Sequence, residues 1–307
     1  MGFPTVPGFP AYESGSASQF IPAIWSGKLR EKHYEATVLT AISNTDYEGE
    51  IRKFGDRVYI RAIPDVQIKK YVKGQDLDVQ RPVSDAIELD IDKGQYWNVA
   101  LDDVTKKQSD IAWMEKWSTD ASEQLKIVID TEVLAYIDGE VAATNKGANA
   151  GRISSAFNLG AAAAPVQLTK ANIIDYVVDC GTVLDENLVP ETGRWMVVPA
   201  WIAGLIKKSD LKDASMTGDN ESIVRNGRLG IIDRFTIYKS NLNEYVAGDV
   251  AYHIPFGHKE SLTYASQIVK TEKIRSERSF DDLVRGLCVY GYKVVLPSSI
   301  GDLYAKR

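Results

Sequence analysis

Apolar and polar residues alternate over Arg57-Val58-Tyr59-Ile60-Arg61-Ala62-Ile63, and again over Ile87-Glu88-Leu89-Asp90-Ile91-Asp92. A period of two marks a strand with one covered face. Paired antiparallel, the two strands would turn Arg57 and Arg61 toward Glu88, Asp90 and Asp92, and each cross-strand ion pair would contribute roughly 0.2–1 kcal/mol. About 23 residues separate the strands, too many for a tight turn. That segment holds Lys69, Lys70, Lys73, Gly74 and Pro82 and reads as an irregular, basic loop tip. Its lysines are either solvated or in contact with acidic patches on a neighbouring molecule.

The period then changes. Val104, Ile111, Met114, Trp117, Ala121, Leu125, Val128 and Ile129 fall in one sector about 140° wide at about 100° per residue, the pattern of an amphipathic helix. Asp102 or Asp103 can cap its start, and Gly139 is a natural stop. Beyond Ile127 the apolar positions (Val133, Leu134, Ile137) spread around the axis, so the far end is expected to be covered on more sides. About 36 residues at about 1.5 Å each give a rod of about 54 Å, far beyond the average helix of about 11–12 residues. Trp113 and Trp117, one turn apart, read as packing residues.

Residues 1–24 look like an arm. Gly2-Phe3-Pro4 recurs as Gly8-Phe9-Pro10, and proline favours extended backbone. The arm is either a disordered tail or a segment ordered by a neighbouring subunit through Phe3, Phe9, Tyr12 and Phe20. A short helix is expected between Trp25 and Leu39. Beyond the long helix, the Gly/Ala/Asn-rich residues 140–168 read as a connection between sub-domains. Thr169 then caps a second helix with Ile173, Val177, Leu184 and Leu188 near one face, ending before Pro190. Arg194–Val198 is an expected strand, and Pro199 opens a helix through Lys208. A polar loop (209–228) precedes strands at Phe235–Tyr238 and Val250–Phe256. After the breaker Gly257, Leu262–Ile274 and Gly286–Leu296 read as two long closing strands. Helices and strands mix without βαβ repetition, so the fold class is α+β.

Composition narrows the function. The 307 residues are 44% hydrophobic and 25% charged, with a net charge of −6, ordinary for a soluble globular protein. The strongly basic surface of a dedicated nucleic-acid binder is missing. No apolar run is long enough to span a membrane. The N-terminus lacks a secretion signal, and Val6 stands where a myristoylation motif wants Ser or Thr, so the chain is expected inside the cell when made. Cys180 and Cys288 sit in apolar contexts and read as reduced buried thiols, with a disulfide left open. His33, His253 and His258 have no partner at metal-ligand spacing in the sequence and read as structural or surface residues. Neither a Gly-rich phosphate loop nor a nucleophile elbow is present. Asp102/Asp103 and Asp281/Asp282 read as caps or solvated turns. No catalytic residue, metal or cofactor is expected. A β-arm beside a long stiff helix suits a chain that builds a shell, with the arm lying on a neighbouring copy.

The order of these parts resembles the major capsid protein of tailed bacteriophages, with the Hong Kong 97-like fold. Met1 to about Asn44 resembles the N-terminal arm, Tyr47–Ile60 the entry into an extended loop, and Gln95–Asp103 its return into the spine helix. Arg194–Pro199 and Ile231–Asn241 resemble axial-domain strands, and Ala265–Lys270 and Gly286–Pro297 the closing peripheral strands. The resemblance implies an N-terminal arm over residues 1–45, an extended β-hairpin loop over 46–98, and a peripheral domain over 99–165 and 258–307 with the spine helix at 103–138. It places the axial domain at 166–257.

It further implies pentamers and hexamers that close an icosahedral shell around double-stranded DNA, contacted non-specifically, in a virion assembled in the host cytoplasm. The partners implied are other copies of the chain, a portal protein, a separate scaffolding protein (the arm begins without a long leader) and a cement or decoration protein. Inter-subunit contacts are expected from the segment 52–92, through Arg52, Arg57, Arg61, Lys69, Lys70, Lys73, Glu88, Asp90 and Asp92. Some relatives crosslink a loop lysine to an asparagine of another subunit, but nothing in this sequence identifies the matching asparagine or a catalytic glutamate. An encapsulin-type nanocompartment, which shares the fold, and an α+β enzyme are the rival readings.

Overall fold

The computed structural model describes residues 32, 34–46, 57–61, 63–64, 66–83, 86–103, 107, 113–209, 230–277 and 279–307. The N-terminal arm to residue 31, Arg52 and the polar loop 210–229 lie outside the described residues, as does much of the expected start of the long helix.

The two alternating segments form a ribbon. β1 (Arg57–Arg61) pairs antiparallel with β2 (Ala86–Asp90), with Arg57 opposite Asp90 and Tyr59 opposite Glu88. Three residues later the chain enters β3 (Lys93–Asp102), a strand of ten residues. Its alternation is plain, with Trp97, Val99 and Leu101 on the more covered face. By sequence, Gln95–Asp103 reads only as the return of the loop. β3 joins β10 (Leu262–Arg275) and β11 (Asp281–Val294) in an antiparallel sheet ordered β10-β11-β3. β11 begins at Asp281 rather than Gly286, because Leu283 and Val284 pair with Ala100 and Val99.

The long helix is present. α2 spans Trp113–Glu140, 28 residues, or about 42 Å at about 1.5 Å per residue. Residues 103 and 107 are also helical. Gly139 lies within its last turn, not beyond it. The covered surface is concentrated at the C-terminal end, as the spread of apolar positions predicts: Ile129, Val133, Leu134, Ile137 and Val141 are buried. Val128, placed on the covered face by periodicity, is exposed instead.

A second sheet is built from seven strands. Its order is β4 (Val166–Gln167), β12 (Ile300–Lys306), β9 (Ala251–His258), β5 (Arg194–Val198), β7 (Phe235–Lys239) and β6 (Ile231–Ile232), with β8 (Tyr245–Val246) added to β9. β9 runs through Gly257 to His258, so that glycine breaks nothing: it pairs with Ile300 and Trp195. Every residue of β5 is buried, because the strand separates two cores. On one face, Met196 and Val198 join α3 (Ile173–Glu186), α4 (Ala200–Lys208) and Phe235. On the other, Trp195 and Val197 meet Ile129, Val133 and Ile137 of α2 with Tyr290 of β11. α2 is thus packed between the two sheets. The final strand β12 shares its sheet with β5, β7 and β9, elements assigned by sequence to the axial unit.

Three local expectations are corrected. Leu188 is not on a helix face. It lies past the end of α3 at φ 60° and is exposed. Residues 34–38 carry no helix, and only Leu39–Ile42 (α1) form a short one. The reason is tertiary: the buried carboxylate of Asp130 accepts the main-chain N–H groups of Val38 (2.5 Å) and Leu39 (3.3 Å), so α2 itself terminates the extended segment. Lastly, His253 does have carboxylate partners, supplied by residues far away in the sequence. Its Nδ1 lies 2.7 Å from Asp302 of β12 and 3.3 Å from Asp138 of α2. Burial opposes a charge on this ring, but the hydrogen bonds to Asp138 and Asp302 outweigh it and raise its pKa to about 10. Both cysteines are buried free thiols. Among the described residues, no helix is long and apolar enough to cross a membrane.

Candidate assembly surface

The arm has an anchored root and an exposed outer part. At the root, Ile60, Leu89 and Ile91 are buried with Ala265 of β10, and Val58, Ile87 and Val289 pack against them. The apolar face of the β1–β2 ribbon therefore lies on the three-stranded sheet. Close approach here depends on Gly291 of β11. A β-carbon at that position would overlap the main-chain carbonyl of Asp90.

A polar network fixes the start of β3 against the long helix. Glu132 of α2 receives hydrogen bonds from Tyr290 (2.6 Å) and Tyr292 (2.9 Å), and Lys93 lies 2.8 Å away. The Lys93 ammonium also sits 4.5 Å from the centre of the Tyr292 ring. Burial pushes the Glu132 carboxyl up, but the hydrogen bonds from Lys93, Tyr290 and Tyr292 outweigh it and hold the group below its ordinary value. The arm therefore returns to the body at a charged, hydrogen-bonded joint.

Between Arg61 and Ala86 the described residues carry no helix or strand, as expected. Gln67 and Gln80 exchange two hydrogen bonds, and Lys69 pairs with Asp78 at 2.9 Å. The reversal is tight after all. Gln75 N–H donates to Val72 C=O, with Gly74 at φ +85°, a backbone angle that glycine adopts without steric cost. Apolar side chains stand in solvent on both limbs: Ile63 (95% exposed), Ile68 (93%), Tyr71, Leu77, Val79 (84%) and Val83. Soluble monomers rarely expose apolar surface concentrated in this way, and such surface marks interaction sites.

The charged residues singled out by sequence fare differently. Arg57 lies between Glu88 (3.0 Å) and Asp90 (2.5 Å), so these three residues serve the arm itself. Arg61 stands opposite Ala86 rather than an acid. Asp92 lies past the end of the pairing and is exposed, just before β3. Lys69 is paired within the tip, whereas Lys70 and Lys73 are exposed and make no ion pair among the described residues. The basic character emphasised by sequence is thus secondary to the apolar one. The alternations Val66-Gln67-Ile68 and Leu77-Asp78-Val79 carried that signal.

No protein-family model matches the chain, and no curated protein matches it in sequence. Solved structures do. A structure from Mycobacterium phage Che8 is 25% identical, with a TM-score of 0.76 over 92% of this chain and 96% of that one. The capsid of cyanophage P-SCSP1u is 13% identical, with a TM-score of 0.73 over 97% of each chain. The mature capsid of bacteriophage PhiM1 is 18% identical, with a TM-score of 0.64 over 96% of this chain and 95% of that one. This chain has the phage capsid fold. The match spans almost the whole of both chains, so the ribbon, the long helix and both sheets belong to a single capsid-type architecture, the Hong Kong 97-like one the sequence resembles.

Proposed function

We propose that this protein is the major capsid protein of a tailed phage, self-assembling as pentamers and hexamers into an icosahedral shell around double-stranded DNA. The observation that carries the reading is the capsid fold matched end to end, together with an arm whose apolar side chains are left in solvent. Capsids are the structural neighbours, so neither the nanocompartment nor the enzyme reading is favoured.

In this reading residues 63–83 lie across a neighbouring subunit, and the contacts close by symmetry. Covering one large aliphatic side chain contributes about 1.5–3 kcal/mol, so several on one arm outweigh exposed ion pairs at about 0–1 kcal/mol each. Arg61, Lys70 and Lys73 then supply orientation rather than most of the energy. Arg57, Glu88 and Asp90 stiffen the ribbon. The three-stranded sheet with α2 forms the peripheral part. The seven-stranded sheet with α3 and α4 forms the axial part, and β12 ties the C-terminus into it. A scaffolding protein, a portal and a decoration protein are the partners such a shell calls for, and assembly would take place in the host cytoplasm.

Deleting residues 64–82 tests the arm. The subunit should fold, because the root and both cores remain, yet form no closed shells. Normal shells from the deletion variant would overturn the assignment of the arm.

A further inference from the structure

We propose that Asp138, His253 and Asp302 form a binding site for one divalent transition-metal ion, with zinc the best fit, which clamps the end of the long helix to the second sheet. The site goes beyond the capsid reading and does not depend on it. One carboxylate or imidazole donor comes from each of α2, β9 and β12, and the three donor atoms lie within 4.8 Å of one another. Two carboxylates and an imidazole suit zinc, which takes nitrogen and oxygen ligands and leaves a fourth position to water.

Two further observations point to an ion. Asp302 is 3% exposed, and its Oδ1 is buried with no hydrogen-bond partner. An unpaired buried carboxylate oxygen is costly to leave so; Oδ2 of the same carboxylate faces His253, and an ion held by both oxygens would satisfy Oδ1. In addition, the three residues line an opening of about 400 Å³ shared with Lys146, Asp249 and Tyr304, which gives a route from solvent and room for a water ligand. The imidazole is held in place by the Tyr304 ring, 4.5 Å away between centres. The Lys146 ammonium is engaged at 2.7 Å by the main-chain carbonyl of Asp138 rather than by its carboxylate.

His253 Nδ1 lies within reach of both carboxylates. Bonds of about 2.0–2.1 Å to zinc require ligand atoms about 3.3 Å apart. The 3.3 Å between His253 and Asp138 already meets this, and the 2.7 Å between His253 and Asp302 must widen slightly.

The test is zinc titration of the purified full-length protein, read as bound metal per chain after dialysis and as the shift in Tm. Wild type should hold about one zinc per chain and melt at a higher temperature with it. Asp138→Asn and His253→Gln should each bind at least tenfold more weakly, since even residues that only support a metal ligand cost 10–100-fold. His258→Gln should bind as wild type does. Asp138 lies at a partly exposed helix end, so its variant tests the site even if His253→Gln fails to fold. Absence of stoichiometric zinc in wild type, or unchanged binding by Asp138→Asn, would overturn the proposal.

Discussion

The main-chain carbonyl of Asp90 fills the space that a β-carbon on Gly291 would need. The last residue of the arm's second strand is thereby seated directly on β11, and the direction in which the arm leaves the body is set by one missing side chain. Gly291→Ala must push the ribbon away or distort β11. Overpacking of this kind costs about 1–3 kcal/mol. A folded subunit that assembles poorly is the expected result, seen as a modestly lowered Tm with few closed shells by electron microscopy. Normal stability and normal shells would show that the seat is not required.

The apolar tip and the charged root should respond in opposite ways to substitution. Ile68→Asp and Val79→Asp alter side chains that are almost wholly exposed in the subunit, so subunit stability should stay within about 0.5 kcal/mol, while shell formation is lost. Arg57→Ala removes exposed pairs to Glu88 and Asp90 and should cost less than about 1 kcal/mol, with assembly slowed rather than abolished. Chemical denaturation and light scattering, run on the same samples, separate the two effects.

Glu132 is the partner of three groups at the joint between helix and arm. Glu132→Ala leaves the Tyr290 hydroxyl without its acceptor on a residue that is fully buried. A loss of about 1–3 kcal/mol is expected from that group. Glu132→Gln keeps one acceptor oxygen, enough for the buried Tyr290 hydroxyl, and should lose less. Equal destabilisation by the two variants in urea melts would count against the network.

On the three-stranded sheet, Glu272 of β10 is paired with Lys270 and lies 2.7 Å from Arg285 of β11. Lys270 first, then Arg285, hold its carboxyl down to about 2. A depressed pKa makes this contribution fully present above the ordinary carboxylate value of 4.5, and it is lost as pH falls toward about 2. The stability difference between wild type and Glu272→Gln should therefore be flat at neutral pH and shrink progressively as pH falls from 4.5 to about 2. A difference that stayed constant across that window would show that the pairs do not form in solution.

Much of the fold was legible because its elements carry clean periods. β1, β2 and the far end of α2 lie where alternation and helical spacing put them, and β5, α4, β7 and β10 are displaced by at most a residue or so at their ends. β3 was legible but unread: Trp97, Val99 and Leu101 alternate. β12 was not legible. Six of its seven residues are buried, so no alternation exists, and Gly301 and Asp302 disguise it further. The clamp at His253 was hidden because its partners lie 115 residues before it and 49 after it, at Asp138 and Asp302, and only the sheet brings them together. In the arm the lysines stand out in the sequence by charge, but the exposed apolar surface is that of Ile68, Leu77 and Val79. Composition marks the charge of a loop, but whether its apolar residues are covered depends on what lies beneath them, and among the described residues these stay exposed.

The most direct test of shell building is negative-stain electron microscopy of the expressed protein, with and without a scaffolding partner. Closed shells of uniform curvature are the predicted result in at least one condition, and they should disappear on deletion of residues 64–82. Small discrete oligomers under both conditions would contradict the capsid assignment.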